Sequence, residues 1–368
     1  MSRLDLARVE REDPSGVQKN NSHFNLFNSG PLSTVMIAAL TLASTPSTLE
    51  GPCDITTAAG NPCVAAHSTV RALYGAYDGP LYNVTRSSDN ASTNIGLLNA
   101  GGFANIATHD AFCSKGDCVI SNIFDQSPMN NHLGQRHKLV NASQHKIIAG
   151  GHSVYGMWFD PGYGYHVDKT RGIPVGNEPE SIYAVMSGTH TNDACCFDYG
   201  NSESDNKDDG CGAMEAIYFG SAHWHGNTGA GATGPWVGAD LEQGMYYGGG
   251  NFSKNSTQNQ PLPHEFVTLY LRGRTDGFVL KGGDATTGTL TTMYDGPRPT
   301  HGPHCSWSRP DYQPMQKQGA IILATGGDQS NSAMGKFYEG IMVLGNTTDA
   351  TDDAVQANIV AVGYANIN

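Results

Sequence analysis

The chain has 368 residues, 34 acidic against 21 basic side chains and a formal net charge of -13, so it lacks the basic stripe of a nucleic-acid binder. Apolar residues make up 38%, enough for a core, and 46 glycines point to many tight turns. Only 15% of residues are charged, and a polar surface of Ser, Thr, Asn and Gly fits a secreted protein.

Taken in chain order, residues 1–50 read as a leader. Pro31–Ser44 is an apolar stretch of the signal-peptide kind, too short to span a bilayer, which needs roughly 20 apolar residues. Helical spacing is expected at Val70, Leu73, Tyr74 and Tyr77, just after the first cysteine pair, and again at Val355, Ile359 and Val362. Between them, Ser181–Met186, Met214–Phe219, Phe266–Leu271, Ala320–Leu323 and Lys336–Leu344 are short β-branched and aromatic runs separated by turn residues. Many strands and few helices predict an all-β sandwich or barrel, and no linker or repeat divides residues 51–368.

The eight cysteines favour disulfides and an oxidising compartment over zinc, since no C-x-x-C pair or spaced histidine run accompanies them. Cys53/Cys63 and Cys113/Cys118 would close short loops. Cys195 and Cys196 are adjacent; they would form a strained ring together, or each would join another partner such as Cys211 or Cys305. Sequons at Asn83, Asn90, Asn141, Asn251, Asn255 and Asn346 are glycosylation candidates. The 14 histidines, including His223 and His225 around Trp224, read as solvated loop residues rather than ligands, and Trp224 as a sugar-stacking or core residue. Gly229–Gly234 matches G-x-G-x-x-G, but Pro235 and Trp236 follow where a dinucleotide site needs a helix.

The acids carry the chemistry. Asp240 and Glu242 stand two apart, which on a strand places both on one face, and Asp328 sits in a glycine turn after Ala320–Leu323. Glycosidic cleavage needs two carboxyl groups across one bond, although an Asp beside Gly is also an ordinary turn residue. Glu215 and Glu339, within apolar strands, are further candidates that would otherwise face solvent or bind a backbone group.

Taken together, GPCDI and NPCVAAHSTVRALYGAYDGPLYNVTR (51–86), DAFCSKGDC (110–118), DQSPMNNHL (125–133), ACCFDYGN (194–201), MEAIYFG (214–220), GPWVGADLEQG (234–244), TGGDQSN (325–331) and FYEG (337–340) closely resemble family-54 glycoside hydrolases. These are fungal α-L-arabinofuranosidases, some with weaker β-xylosidase activity. The similarity runs from about Gly51 to Tyr364. It implies a concanavalin-like β-sandwich and a retaining, exo-acting enzyme that removes terminal arabinofuranosyl groups from arabinoxylan or arabinan. Glu242 takes the place of the nucleophile and Asp328 that of the general acid/base. Asp240, Trp224, Gln243 and the backbone of Gly327 fall at sugar-contacting positions. Cys195–Cys196 matches a vicinal disulfide against the bound sugar, and Cys53–Cys63 and Cys113–Cys118 match the other bridges. A retaining pair should stand about 5–5.5 Å apart, with burial or the Glu242 charge keeping Asp328 protonated. Neither metal nor organic cofactor is called for, and a secreted monomer acting on plant cell-wall polysaccharide is expected. The rival class is a non-catalytic, lectin-like sandwich.

The sequence departs from the family at four places. Gln243 replaces an Asn commonly found beside the nucleophile. Cys211 and Cys305 are extra, the latter within an insertion at His301–Gln313, and are expected to pair. His223–Gly234 is unusually rich in histidine and glycine. The family's C-terminal arabinose-binding β-trefoil is expected to be absent, leaving residues 51–368 as the catalytic domain.

Overall fold

The computed structural model describes residues 50–207, 212–223, 228–231, 233–242, 244–248, 255–299 and 314–367. Two antiparallel sheets dominate. The larger has nine strands, in the order Thr291–Pro297, Gly277–Asp284, Val267–Gly273, Glu180–Met186, Gly335–Leu344, His152–Phe159, His145–Ala149 and Ala365–Asn366, with Cys63–Ser68 also pairing with Gly335–Leu344. The second runs Met245–Tyr246, Trp236–Asp240, Glu215–Gly220, Asp198–Ser202, Ala320–Leu323, Tyr165–Val167 and Gly134–Gln135. A three-stranded sheet, Ser92–Ile95, Tyr82–Arg86 and Cys118–Ile123, completes the set.

All five strand segments expected from β-branched runs are strands, with ends shifted by two residues at most. The two large sheets pack face to face as a β-sandwich. Tyr199 on the second sheet packs against Phe337 on the first, the rings tilted by 43° with centroids 5.3 Å apart. Its ring also lies over Gly340, where a β-carbon would come within 2.5 Å of Cε1. Tyr199, Ile217, Phe219, Val237, Ala239, Ile321 and Leu323 alternate inward to form this core with Ile182, Ala184, Leu269, Leu271 and Met342.

Val355, Ile359 and Val362 do lie on a helix, Asp349–Val362, and are buried. Thr348 Oγ1 caps it by accepting from Thr351 N at 3.2 Å, and Gly363 ends it with φ at 66°. The other expected helix is absent. Residues 70–77 run as an irregular segment whose backbone pairs outward: Ala104 N donates to Val70 O and Ala72 N to Gly102 O. Val70 and Leu73 are buried, so the apolar spacing reflects packing and not a helix. Two short helices, Pro52–Ala58 and Ile106–Cys113, form instead. Among the described residues no helix is long and apolar enough to cross a membrane.

Disulfides join Cys53 to Cys63, Cys113 to Cys118 and Cys195 to Cys196. Cys211, Cys305 and the His301–Gln313 segment lie outside the described residues.

Candidate active site

Period-two alternation builds the site on the outer face of the second sheet. The residues that face the core are odd-numbered on Asp198–Ser202 and Glu215–Gly220, so Asp198, Ala216 and Tyr218 face away from it. Gly238 pairs with Tyr218, and Asp240 with Ala216, which puts Asp240 on that same outer face. Tyr218, Trp236, Met245 and Tyr247 form a small second cluster there. That cover buries Asp198 completely and leaves Asp240 only 7% exposed.

Glu242 reaches the cluster by a different route from the one its spacing implies. The strand stops at Asp240, and Glu242 sits in the left-handed region with φ at 56°. Asp240 Oδ1 accepts from Glu242 N at 3.1 Å, so the carboxylate of one acid fixes the backbone of the other. Gly212 N and Ala213 N both donate to Glu242 Oε2, at 3.0 and 2.8 Å, and the side chain is buried. Two backbone donors on one oxygen hold the other oxygen's direction as well.

Asp328 comes from the turn after Ala320–Leu323. Gly326 N donates to Ser330 O at 2.8 Å, closing the turn, and Ala324 N donates to Asp198 O at 2.8 Å, anchoring it beside the strand. Ser330 N and Oγ both donate to Asp328 Oδ1, at 2.8 and 2.6 Å. Burial is one of the two settings expected for Asp328, but the residue is exposed at the tip of the turn. Ser330 Oγ lies 3.5 Å from both Cys195 Sγ and Cys196 Sγ, and Cys196 Sγ lies 3.5 Å from Asp240 Oδ2. An unbroken series of contacts thus runs from Asp328 through Ser330, the cysteine pair and Asp240 to Glu242. Sulfurs joined in a disulfide offer no thiolate, so the pair and Asp240 do not make a metal site.

Two further acids in this cluster have no part in the sequence reading: Asp198 and Glu203. Burial and the adjacent Asp240 charge raise Asp198 well above the usual carboxylate range. Burial also pushes Asp240 up to about 7, with Asp328 and Glu242 adding their charges. Glu203 is pushed up to about 10 by burial and by the Glu242 charge. Burial thus favours the protonated form at Asp198, Asp240 and Glu203. Asp198 lies two residues beyond the vicinal cysteines, on the strand's outward phase, a signal the alternation itself carried. Glu203 follows the strand end, in a polar stretch with no such signal.

Gly327 is buried against Glu203: a β-carbon there would stand 1.6 Å from Glu203 Oε2. Trp224 and Gln243 lie outside the described residues, and His223 is exposed. Glu215 and Glu339 do not join the site: Glu215 points between the two sheets, Glu339 lies on the face of the first sheet turned away from the second, and both meet buried cations. Glu215 Oε2 accepts from Lys317 Nζ at 2.7 Å. Glu339 is gripped by Arg71 at 2.6 and 2.7 Å and by the hydroxyls of Tyr183 and Tyr364. Of the sequons, Asn90, Asn141, Asn255 and Asn346 are exposed and Asn83 is half-buried, while Asn251 lies outside the described residues.

Comparison with known proteins adds a family to this geometry. The family model described as "Alpha-L-arabinofuranosidase B, catalytic" matches residues 52–365. The chain is 46% identical over 343 residues to the probable alpha-L-arabinofuranosidase B of Aspergillus fumigatus, a match covering 89% of this chain and 65% of that relative. It is similar to a solved GH54 arabinofuranosidase soaked with a cyclic sulfate inhibitor, at 42% identity and a TM-score of 0.81. A second structure, an arabinofuranosidase complexed with arabinofuranosyl-alpha-1,2-xylobiose, matches at 41% identity and a TM-score of 0.81. Each solved match covers 86% of this chain and 66% of the other. The chain spans just under two thirds of the length of the curated relatives it matches.

Proposed function

Because the chain belongs to the family of the alpha-L-arabinofuranosidase B catalytic domain, we propose that it is a retaining, exo-acting α-L-arabinofuranosidase working by double displacement. Glu242 attacks the anomeric carbon of a terminal arabinofuranosyl unit while Asp328 protonates the departing oxygen. Asp328 then takes a proton from the water that releases the sugar from Glu242. Supporting this division of labour, Glu242 is buried and oriented by two N–H donors, whereas Asp328 stands exposed, where a leaving group and then water can reach it. Asp240, whose carboxyl burial pushes up to about 7, binds a sugar hydroxyl. The Cys195–Cys196 pair supplies an apolar floor between Asp240 and Ser330.

The observation that carries the proposal is the contact series joining the Asp328 turn to Glu242 through Ser330, Cys196 and Asp240. The substrate class is arabinofuranosyl side groups of arabinoxylan or arabinan, met outside the cell, with exposed sequons consistent with export. Incubation with 4-nitrophenyl α-L-arabinofuranoside tests it, since a lectin-like sandwich releases no nitrophenol. Proton NMR should show the α-anomer of arabinose first; the β-anomer would overturn retention.

A further inference from the structure

Glu203 is a buried carboxyl for which the mechanism has no task. It is 1% exposed, and among the described residues no side chain donates a hydrogen bond to either of its oxygens. Its Oε2 is pressed onto Gly327, next to Asp328, and its carboxyl meets that of Glu242. The charges acting on it most strongly belong to Glu242 and Asp240, both acids. A buried carboxyl that abuts a carboxylate, with no side-chain donor among the described residues, favours its protonated form, because burial and a neighbouring like charge both disfavour a second anion.

We propose, resting on the reading of Glu242 as nucleophile, that Glu203 is a positioning residue whose protonated carboxyl donates a hydrogen bond to the Glu242 carboxylate. The bond aims the nucleophile and, through Gly327, fixes its distance from the acid/base turn. Burial and the Glu242 charge keep the proton in place at working pH, with Glu203 pushed up to about 10. A hydrogen bond to a carboxylate favours its charged form.

The test compares Glu203→Gln, which keeps a donor of the same shape, with Glu203→Leu, which does not. Folding is checked by thermal melting, and kcat/KM for 4-nitrophenyl α-L-arabinofuranoside is followed against pH. Glu203→Gln should keep the wild-type acidic limb. Glu203→Leu should move that limb upward by about one pH unit and lower kcat by about tenfold, with KM changing less. A downward move in both variants would mean that Glu203 is ionised and merely repels Glu242. An unmoved limb in both would mean that it only fills space. Either result overturns the proposal. Infrared spectra give a readout without turnover: a carboxylic-acid C=O band persisting at neutral pH in the wild type and missing from Glu203→Gln. Absence of that band refutes the assignment even if Glu203→Leu fails to fold. A wild type that releases no nitrophenol but shows the band would sink the enzymatic reading and leave the protonation of Glu203 standing.

Discussion

Gly327→Ala is the smallest change that should disable the site. No positive φ excludes alanine there; the obstacle is the Glu203 carboxyl, 1.6 Å to Oε2 and 2.6 Å to Cδ from the new methyl. Real β-carbons essentially never approach a heavy atom within 3.0 Å, so about 1.4 Å must be opened between two buried groups. Overpacking of this kind costs about 1–3 kcal/mol, a loss of a few degrees in melting temperature. The displaced groups are the Asp328 turn and the carboxyl beside Glu242. A shift of about 1 Å in catalytic geometry can cost about 100-fold, so kcat/KM should fall by that order. The assay is nitrophenol release at saturating and limiting substrate, alongside thermal melting. In Glu203→Ala/Gly327→Ala the methyl has room, so stability should recover relative to the summed single costs while activity stays low. Wild-type turnover and melting in Gly327→Ala would refute the close packing of Glu203 on the acid/base turn.

Three other outcomes follow from charges placed away from water. Asp240 and Glu203 are raised in the folded state, to about 7 and about 10, above ordinary values of 3.8 and 4.5. The native protein therefore holds more protons than the unfolded chain, and stability falls as pH rises through this window. Asp240 alone accounts for up to about 4 kcal/mol of that fall, so the melting temperature of Asp240→Asn relative to wild type should improve between pH 5 and 8; a constant difference would contradict the burial of its charge. Lys317→Met leaves Glu215 and Glu180 buried without their cation, and urea unfolding should show a loss of about 3–5 kcal/mol; a loss under about 1 kcal/mol would deny the pair its role. Glu242→Ala should keep the melting temperature within a few degrees while abolishing nitrophenol release, and near-normal activity in that variant would reject it as nucleophile.

Strand positions were readable because β-branched and aromatic runs state their own conformation, as in Ala320–Leu323 and Ser181–Met186. Spacing failed where partners lie far along the chain. Val70, Leu73, Tyr74 and Tyr77 mimic a helical face, yet the segment's hydrogen bonds go mostly to distant residues such as Cys53, Gly102, Ala104 and Gln126. Glu215 and Glu339 look catalytic within apolar strands because their cations, Lys317 and Arg71, stand 102 and 268 residues away. Strand alternation put Asp240 and Glu242 together, but a left-handed turn is what brings Glu242 in. Asp198 was within reach of that same alternation, being outward on a strand beside the vicinal cysteines. Glu203 was not, since only the fold reveals that a glutamate in a polar stretch is buried against Gly327.

The central claim is that residues 242 and 328 divide the two chemical steps. In Asp328→Ala an aryl arabinofuranoside needs little help in leaving, but water lacks its base, so a sugar ester should accumulate. Peptide mass spectrometry after acid quench should find one anhydropentose on the peptide containing Glu242. The same adduct on another carboxylate, or unimpaired turnover with none trapped, would contradict the account.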